Sequence, residues 1–449
     1  MTESDPLLAW LFSLKGPSLK WDLETARSLA RWLGDPQERF RSVHVAGTNG
    51  KGSVAAMVQA VAGAAGLRAG LYTSPHLVRP EERIRPGEDE IGPSEFRALI
   101  ARLRPRAEAA LAAGALTRFP SFFEMLTAAA FTAFAEHGIQ LAAIEAGLGG
   151  RLDATNVITP EIAVITTIGM DHVKTLGPRL VDIAGEKAGI VKPGVPVLAG
   201  WLPRGPLAVV AAAARERGAP LHAAARELRV RATTGERFTV ITPRRPYREL
   251  RVALAGRHQQ RNAALAIRAL ELVAERTGLE FPPEAVARGL ASVRWPGRLE
   301  EIALHPRFLL DGAHNGEGAR ALARHLSESG RRVRPCVFGL TEGRNARALL
   351  LPLRRHVGPV IVTRPGIDKA CAPAAVAAAL GALAPDVEIV EEPAAALARA
   401  AALAGPAGEV LVTGSLYLVG DARRILLRLD GSGHPPRESN LPPARGGAP

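Results

Sequence analysis

Val43-His44-Val45-Ala46-Gly47-Thr48-Asn49-Gly50-Lys51-Gly52-Ser53 decides how this chain is read. Val43 to Ala46 is a short apolar run of the kind that forms a buried strand. Gly47 to Gly52 is a glycine-rich turn, and Val54 to Ala65 continues as a helix. A strand feeding such a turn and then a helix makes an anion site. Successive backbone N–H groups can face a phosphate, the helix N-terminus adds positive potential, and Lys51 adds a full charge. Glycine lets the backbone come close because it has no Cβ. The usual phosphate loop has Gly, four residues, Gly-Lys and then Ser or Thr. Here the first glycine of that spacing is absent and Gly52 takes the hydroxyl position. Ser53 is then the nearest hydroxyl that could touch magnesium. A tight strand-to-helix turn without a ligand is the plainer alternative, and the flanking elements argue against it.

Working outward, the same alternation recurs. Apolar runs at Leu141–Ile144, Ile162–Thr166 and Val195–Leu198 read as buried strands, with helices between them, including Phe122–Glu136. That pattern predicts a parallel sheet covered by helices on both faces. From Leu228 to Leu254 polar and apolar residues alternate between turn residues, as in an antiparallel excursion. A helix follows from about His258 to Arg276. Arg294-Trp295-Pro296-Gly297-Arg298 reads as a linker, because Pro and Gly interrupt regular structure. A second alternating series then starts, with strands expected at Phe308–Leu310, Val333–Phe338, Val360–Thr363, Val387–Val390 and Val410–Thr413. The expected fold is α/β: an N-terminal P-loop-type ATPase domain with a mainly parallel sheet over 1–295, and a smaller Rossmann-like C-terminal domain over 296–430. Residues 431–449, rich in Gly, Pro and Arg, read as a disordered tail.

The 449 residues suffice for two or three domains. No stretch of about 18 uninterrupted apolar residues suggests a membrane span. The N-terminus, MTESDPLLAW, lacks the basic and apolar pattern of a secretory leader. Cys336 and Cys371 are the two cysteines, too few for a disulfide framework or a four-thiolate zinc site. A reduced, cytoplasmic, monomeric protein is expected. The net charge of +13 comes from 57 Lys and Arg against 44 Asp and Glu. Arginine is dispersed and aromatic residues make up 4%. Single-strand binders use stacking rings as well as charge, so anionic small molecules fit the charge better than nucleic acid or a membrane surface.

The Gly-Thr-Asn-Gly-Lys loop resembles that of the Mur ligase superfamily, and the Gly-Ser after it resembles the folate branch, the folylpolyglutamate synthase and dihydrofolate synthase family. Seven further stretches carry the resemblance in order: Tyr72–Leu77, Glu145–Asn156, Asp171-His172, Glu186–Ile190, His258–Asn262, Pro296–Arg298 and Asp311–Asn315. It implies ATP and two magnesium ions as cofactors. Gly47, Thr48, Asn49, Gly50, Lys51, Gly52 and Ser53 would hold the phosphates, with Ser53 on one ion. Ser74, Glu145 and His172 would hold the second. Lys187 would be carbamylated, an ammonium turned into an acid-like anion, which requires a partly neutral amine. Asn262, Arg298, Asp311 and His314 would lie on the nucleotide side, and Phe123 and Asp153 would line the pterin site. Thr341–Asn345 departs from the family pattern and has no role assigned by it.

Each residue has a bland alternative. Glu145 could pair with a nearby base, His172 could be a hydrogen-bonded core histidine, Lys187 a surface lysine, and His314 a cap for the following helix. Glu145 follows a strand at the edge where ligands gather in open α/β sheets, which favours function. The expected reaction joins L-glutamate to dihydropteroate, to a (tetrahydro)folate, or to both through an acyl phosphate, with Lys51, His172 and Lys187 as the catalytic groups. A Mur-type ligase for a cell-wall precursor shares the loop and the chemistry. A non-catalytic nucleotide- or RNA-binding protein would share the charge.

Overall fold

The computed structural model describes residues 5–14, 22–233, 236–384 and 386–428; the expected tail at 431–449 lies outside them. The chain contains two compact units. One spans Pro6–His76 and Pro80–Leu299; the other runs from Glu300 onward together with Leu77–Arg79.

In the first unit, strand β1 (Arg41–Ala46) is buried along all but its first residue. A strand of that kind needs cover on both faces and belongs inside a sheet. It is the middle strand of seven, with β2 (Ala69–Tyr72), β3 (Ile84–Arg85), β4 (Leu141–Glu145), β5 (Ile162–Ile165), β6 (Val197–Ala199) and β7 (Leu221–Ala223). The order is β3-β2-β4-β1-β5-β6-β7. All pairs are parallel except β2 with the edge strand β3.

Side chains alternate across this sheet as the pleat requires. Leu141 and Ala143 of β4 join Val43 and Val45 of β1 in one core, with helices Lys51–Ala64, Arg257–Thr277 and Pro283–Ser292. Ala142 and Ile144 face the opposite core, with helices Pro93–Ala112 and Phe122–Glu136. The second of these helices begins in a capping box. Ser121 N–H donates to Glu124 Oε2 at 2.7 Å, and Glu124 N–H donates back to Ser121 Oγ at 3.4 Å. Two amides left over at the helix start are satisfied reciprocally.

The alternating stretch folds as an antiparallel sheet of β8 (Arg229–Ala232), β9 (Phe238–Ile241) and β10 (Pro246–Leu250). Its polar positions serve a buried ion network. Glu271 accepts from Thr242 Oγ1 at 2.7 Å, Tyr247 Oη at 3.1 Å and Arg268 Nη1 at 3.1 Å. Arg294–Arg298 is not a bare linker. It belongs to the first unit, and Trp295 packs there against the core built on β1. Pro296 and Gly297 end the regular structure, but the indole beside them still removes apolar surface from water.

The second unit holds β11 (Glu300–Ile302), β12 (Arg307–Asp311), β13 (Cys336–Phe338), β14 (Val360–Val362), β15 (Val387–Ile389) and β16 (Glu409–Thr413), ordered β11-β12-β16-β13-β14-β15. Five of the six are mutually parallel, as expected, and β11 adds an antiparallel edge that the sequence pattern did not reveal. The strand expected at Val333–Phe338 is confined to Cys336–Phe338, since Pro335 has no N–H to give a ladder. The departing Thr341–Asn345 segment is a structural turn. Glu342 N–H donates to Lys369 O at 2.8 Å, and Asn345 caps helix Ala346–Leu353 through Ala348 N–H at 3.0 Å. Cys336 and Cys371 are both free thiols. No helix among the described residues is long and apolar enough to cross a membrane.

Candidate functional site

β1 ends at Ala46 and the chain turns through Gly47–Gly50 into the helix Lys51–Ala64. Gly50 caps that helix with φ +86°, a left-handed conformation that a side chain would strain. The turn is fixed to the end of β5. Thr48 N–H donates to Thr167 O at 2.8 Å, and Asn49 N–H to Thr167 Oγ1 at 2.9 Å. Thr166 Oγ1 donates to Asn49 O at 2.7 Å, and Thr48 Oγ1 to Gly169 O at 3.2 Å. The Thr166 and Thr167 hydroxyls that help lock the turn directly follow the strand beside β1, which local sequence could not foretell.

β4 and β5 flank β1 in the sheet, so the residues after all three strands share one carboxyl edge. Glu145, the last residue of β4, is buried. Its Oε2 accepts from Ser74 N–H at 3.2 Å, and its Oε1 stands 3.8 Å from Lys51 Nζ. Burial raises its pKa, and Lys51, the Ser74 amide, Arg298 and Arg83 pull the other way. A single carboxylate therefore lies in the field of several bases, an arrangement suited to a polyanionic ligand.

Lys187 is buried on the helix Leu180–Ala188 and donates to Gly47 O at 2.8 Å. Burial, aided by Lys51, lowers its pKa to about 7 against the pull of Asp171 and Asp153. It is not a surface lysine. His172 follows β5 with φ +49° and is half-exposed; its Nε2 lies 3.8 Å from Asp171 Oδ1. Ser53 is buried, and its Oγ accepts from Gln259 Nε2 at 3.4 Å. Gln259 in turn accepts from Asn262 Nδ2 at 2.9 Å, and Asn262 lies against Gly50. The helix start at His258–Asn262 thus braces the 47–53 turn. Gln259 lies in the His258–Asn262 stretch that carries the resemblance, but the sequence assigns it no role of its own.

Phe123 and Asp153 meet at Gly147, where Phe123 also stacks on Tyr72 with centroids 6.1 Å apart. Asp153 is buried and engaged. Oδ1 accepts from Thr155 N–H at 3.0 Å and Thr155 Oγ1 at 2.5 Å, and Oδ2 from Leu148 N–H at 2.8 Å. Thr155 has one hydroxyl proton, which goes to Asp153. His44 Nε2, 2.9 Å from Thr155 Oγ1, must then be the donor. Burial, aided by Lys192, holds His44 neutral with a pKa of about 3. Glu124 is taken up by its capping box and by Arg118, with Nη2 2.8 Å from Oε1.

In the second unit, Asp311 ends β12 and accepts from Ala313 N–H at 3.0 Å. His314 Nδ1–H donates to Gly312 O at 2.8 Å. The helix cap is Asn315, whose Oδ1 accepts from Gly318 N–H at 2.9 Å, so His314 is not the cap.

Magnesium asks little of the protein's own side chains. Among the described residues no three His, Cys, Asp or Glu side chains gather as a metal cage. Magnesium rarely uses such a cage; it takes one or two carboxylates and completes its shell with phosphate oxygens and water. The Glu145 carboxylate and the Ser53 hydroxyl are hard oxygen donors of the kind this chemistry uses, and the His172 imidazole lies beside Asp171.

A glycine-rich turn at the centre of a parallel sheet, ringed by bases and joined to a second α/β unit, defines a nucleotide-using ligase of the Mur type. Residues 297–416 match the family model for the Mur ligase glutamate ligase domain. The chain is 38% identical to dihydrofolate synthase/folylpolyglutamate synthase of Bacillus subtilis, over 71% of this chain and 75% of that one. It is 34% identical to folylpolyglutamate synthase of Lacticaseibacillus casei, over 94% of this chain and 98% of that one. E. coli FolC in complex with DHPP and ADP superposes with a TM-score of 0.84 at 29% identity, covering 94% of this chain and 98% of that one. The chain belongs to the folylpolyglutamate synthase/dihydrofolate synthase family.

Proposed function

We propose that this ATP-dependent ligase adds L-glutamate to both dihydropteroate and reduced folate at the carboxyl edge of the seven-stranded sheet, as a cytoplasmic monomer. The observation that carries the siting is the buried Glu145 beside Lys51 of the 47–53 turn, with Lys187 donating to Gly47 O of the same turn. The dual acceptor is supported by relatives named for both activities and by the DHPP and ADP bound in E. coli FolC.

An amide cannot form from a free carboxylate in water without activation. The acceptor carboxylate oxygen attacks the γ-phosphorus of ATP, and ADP leaves. The glutamate amine then attacks the acyl carbon, loses its proton, and phosphate leaves. Lys51 and the turn amides bind and orient the phosphates as charge shifts toward the leaving ADP, so positioning and electrostatics supply most of the rate. When bound, magnesium ions held by Ser53 and by Ser74, Glu145 and His172 screen the carboxylate from the γ-phosphate. Lys187, neutral in part near pH 7, adds CO2 through its amine and releases a proton, giving a carbamate beside Gly47. Asn262 and Arg298 serve the nucleotide in the first unit, and Asp311 and His314 carry the nucleotide-side motif of the second. Phe123 packs against the acceptor ring while Asp153 holds the turn that shapes its pocket.

ADP release in the presence of ATP and glutamate tests this reading, with dihydropteroate and tetrahydrofolate as alternative acceptors. Both acceptors should support turnover, and Lys51→Ala should abolish it in a folded protein. Glutamate-independent ADP release, or a Lys51→Ala enzyme with wild-type turnover, would sink the assignment.

A further inference from the structure

Gly52 departs from the usual phosphate loop, which has a hydroxyl residue there. Backbone strain does not require a glycine at this position, because Gly52 lies within the helix Lys51–Ala64 and its φ is not positive. Space does. A Cβ on Gly52 would stand 2.7 Å from Cζ2, 3.0 Å from Cε2 and 3.1 Å from Nε1 of Trp295. The indole therefore fills the room that a serine or threonine side chain would need. Trp295 is partly buried against the core under β1, and Arg85 lies over its ring at 5.6 Å. Its Nε1–H is buried and finds no acceptor among the described residues. The ring is thus held by packing and by the cation above it, not by a hydrogen bond.

Trp295 also has a particular place in the chain. Three peptide bonds further on is Arg298, whose charge bears on Glu145, and the second unit begins at Glu300. The segment leading out of the first unit is therefore fastened directly to the phosphate turn.

We propose that Trp295 is a positioning residue for the ATP phosphates: its indole clamps the Lys51-Gly52-Ser53 helix start, and Gly52 is the complementary half of that clamp. This rests on the reading of the 47–53 turn as the ATP phosphate site. The ring touches no reacting atom in this scheme. It acts by fixing where Lys51 and the Ser53 hydroxyl point, and by tying Arg298 to the same frame. Occupation of the turn by phosphate is then felt at the indole.

The test is a pair of substitutions with two readouts. Gly52→Ala forces its methyl into the ring and should raise KM for ATP about tenfold, with KM for glutamate unchanged. Trp295→Leu should also raise KM for ATP. The double variant Gly52→Ala with Trp295→Leu should be less impaired than the product of the two single effects, because the new methyl then has room. Trp295→Phe keeps a ring and should lie between wild type and Trp295→Leu. ADP should change the tryptophan emission of the wild-type enzyme, and that change should vanish in Trp295→Phe. Strictly multiplicative effects on KM, or an ADP-dependent emission change that persists in Trp295→Phe, would overturn the clamp while leaving the site itself intact. A wild-type enzyme that does not bind ADP at all would instead remove the underlying reading of the turn.

Discussion

Glu145 and Asp153 sit at the start and end of one turn, and burial raises the pKa of both. They differ in what surrounds them. Asp153 is saturated by close donors: the Thr155 amide and hydroxyl and the Leu148 amide. Glu145 has one backbone donor at 3.2 Å and a lysine 3.8 Å away, with further positive charge around it. A buried carboxylate whose oxygens are all spent on its own turn holds structure. One left under-bonded among bases is poised for a ligand that brings its own cations and charge. The sequence presents both as acidic residues in a single stretch; their surroundings separate them.

The comparison can be broken most sharply at Glu145. Glu145→Gln should cut glutamate-dependent ADP release roughly 10³-fold. It should not lower the melting temperature of the ligand-free protein. Glu145 has a folded-state pKa above its unfolded value, so its contribution is favourable below the unfolded pKa and is lost as pH rises through the folded one. At neutral pH its charge is a burden on the fold, and the amide relieves it. A Glu145→Gln protein that turns over normally, or that unfolds well below wild type, would erase the distinction.

Lys187→Met comes next, with turnover reduced about 10²-fold or more. The wild-type rate should also depend on pH and bicarbonate. The neutral amine that adds CO2 is lost as pH falls below about 7, where Lys187 titrates. Activity should therefore fall on that acid side and recover with added bicarbonate. Rates indifferent to bicarbonate across this range would exclude the carbamate.

Asp153→Asn should show the opposite balance to Glu145→Gln. The amide nitrogen cannot accept from Leu148 N–H, which leaves two donors facing each other in a buried turn. The expected loss is about 1–3 kcal/mol of stability, measured by denaturant unfolding. Glu145→Gln should have no such loss. The smallest effect belongs to the segment that departs from the family pattern. Asn345→Ala removes a helix cap and should cost about 1 kcal/mol, with KM and kcat unchanged. A large kinetic effect there would show that the segment does more than hold a turn.

Much of this was legible from the chain alone, and the reasons are local. The turn at 47–53 needs glycine where the backbone takes positive φ, at Gly47 and Gly50, and those glycines and Lys51 lie within five residues of one another. β5 and all but the last residue of β4 are continuous apolar runs because each is covered on both faces, and β1 departs from that only at its first two residues and at His44. The antiparallel excursion was visible as alternation. β11 was not, because Glu300-Glu301-Ile302 carries one apolar residue and pairs only with β12. The linker reading missed Trp295 for a related reason: Pro296 and Gly297 announce a break in backbone structure, while the indole's partner lies in the first quarter of the chain.

Sequence by itself thus determined the two α/β series, the glycine-rich turn between β1 and its helix, and the family, since each depends on residue spacing and on chemistry carried by neighbours in the chain. Tertiary structure decided which acid is under-bonded, that Lys187 is buried with a depressed pKa, that Gln259 braces Ser53, and that Trp295 occupies the room at Gly52. Each of those depends on desolvation or on contact across the sheet order β4-β1-β5, and neither is written in any short stretch of residues.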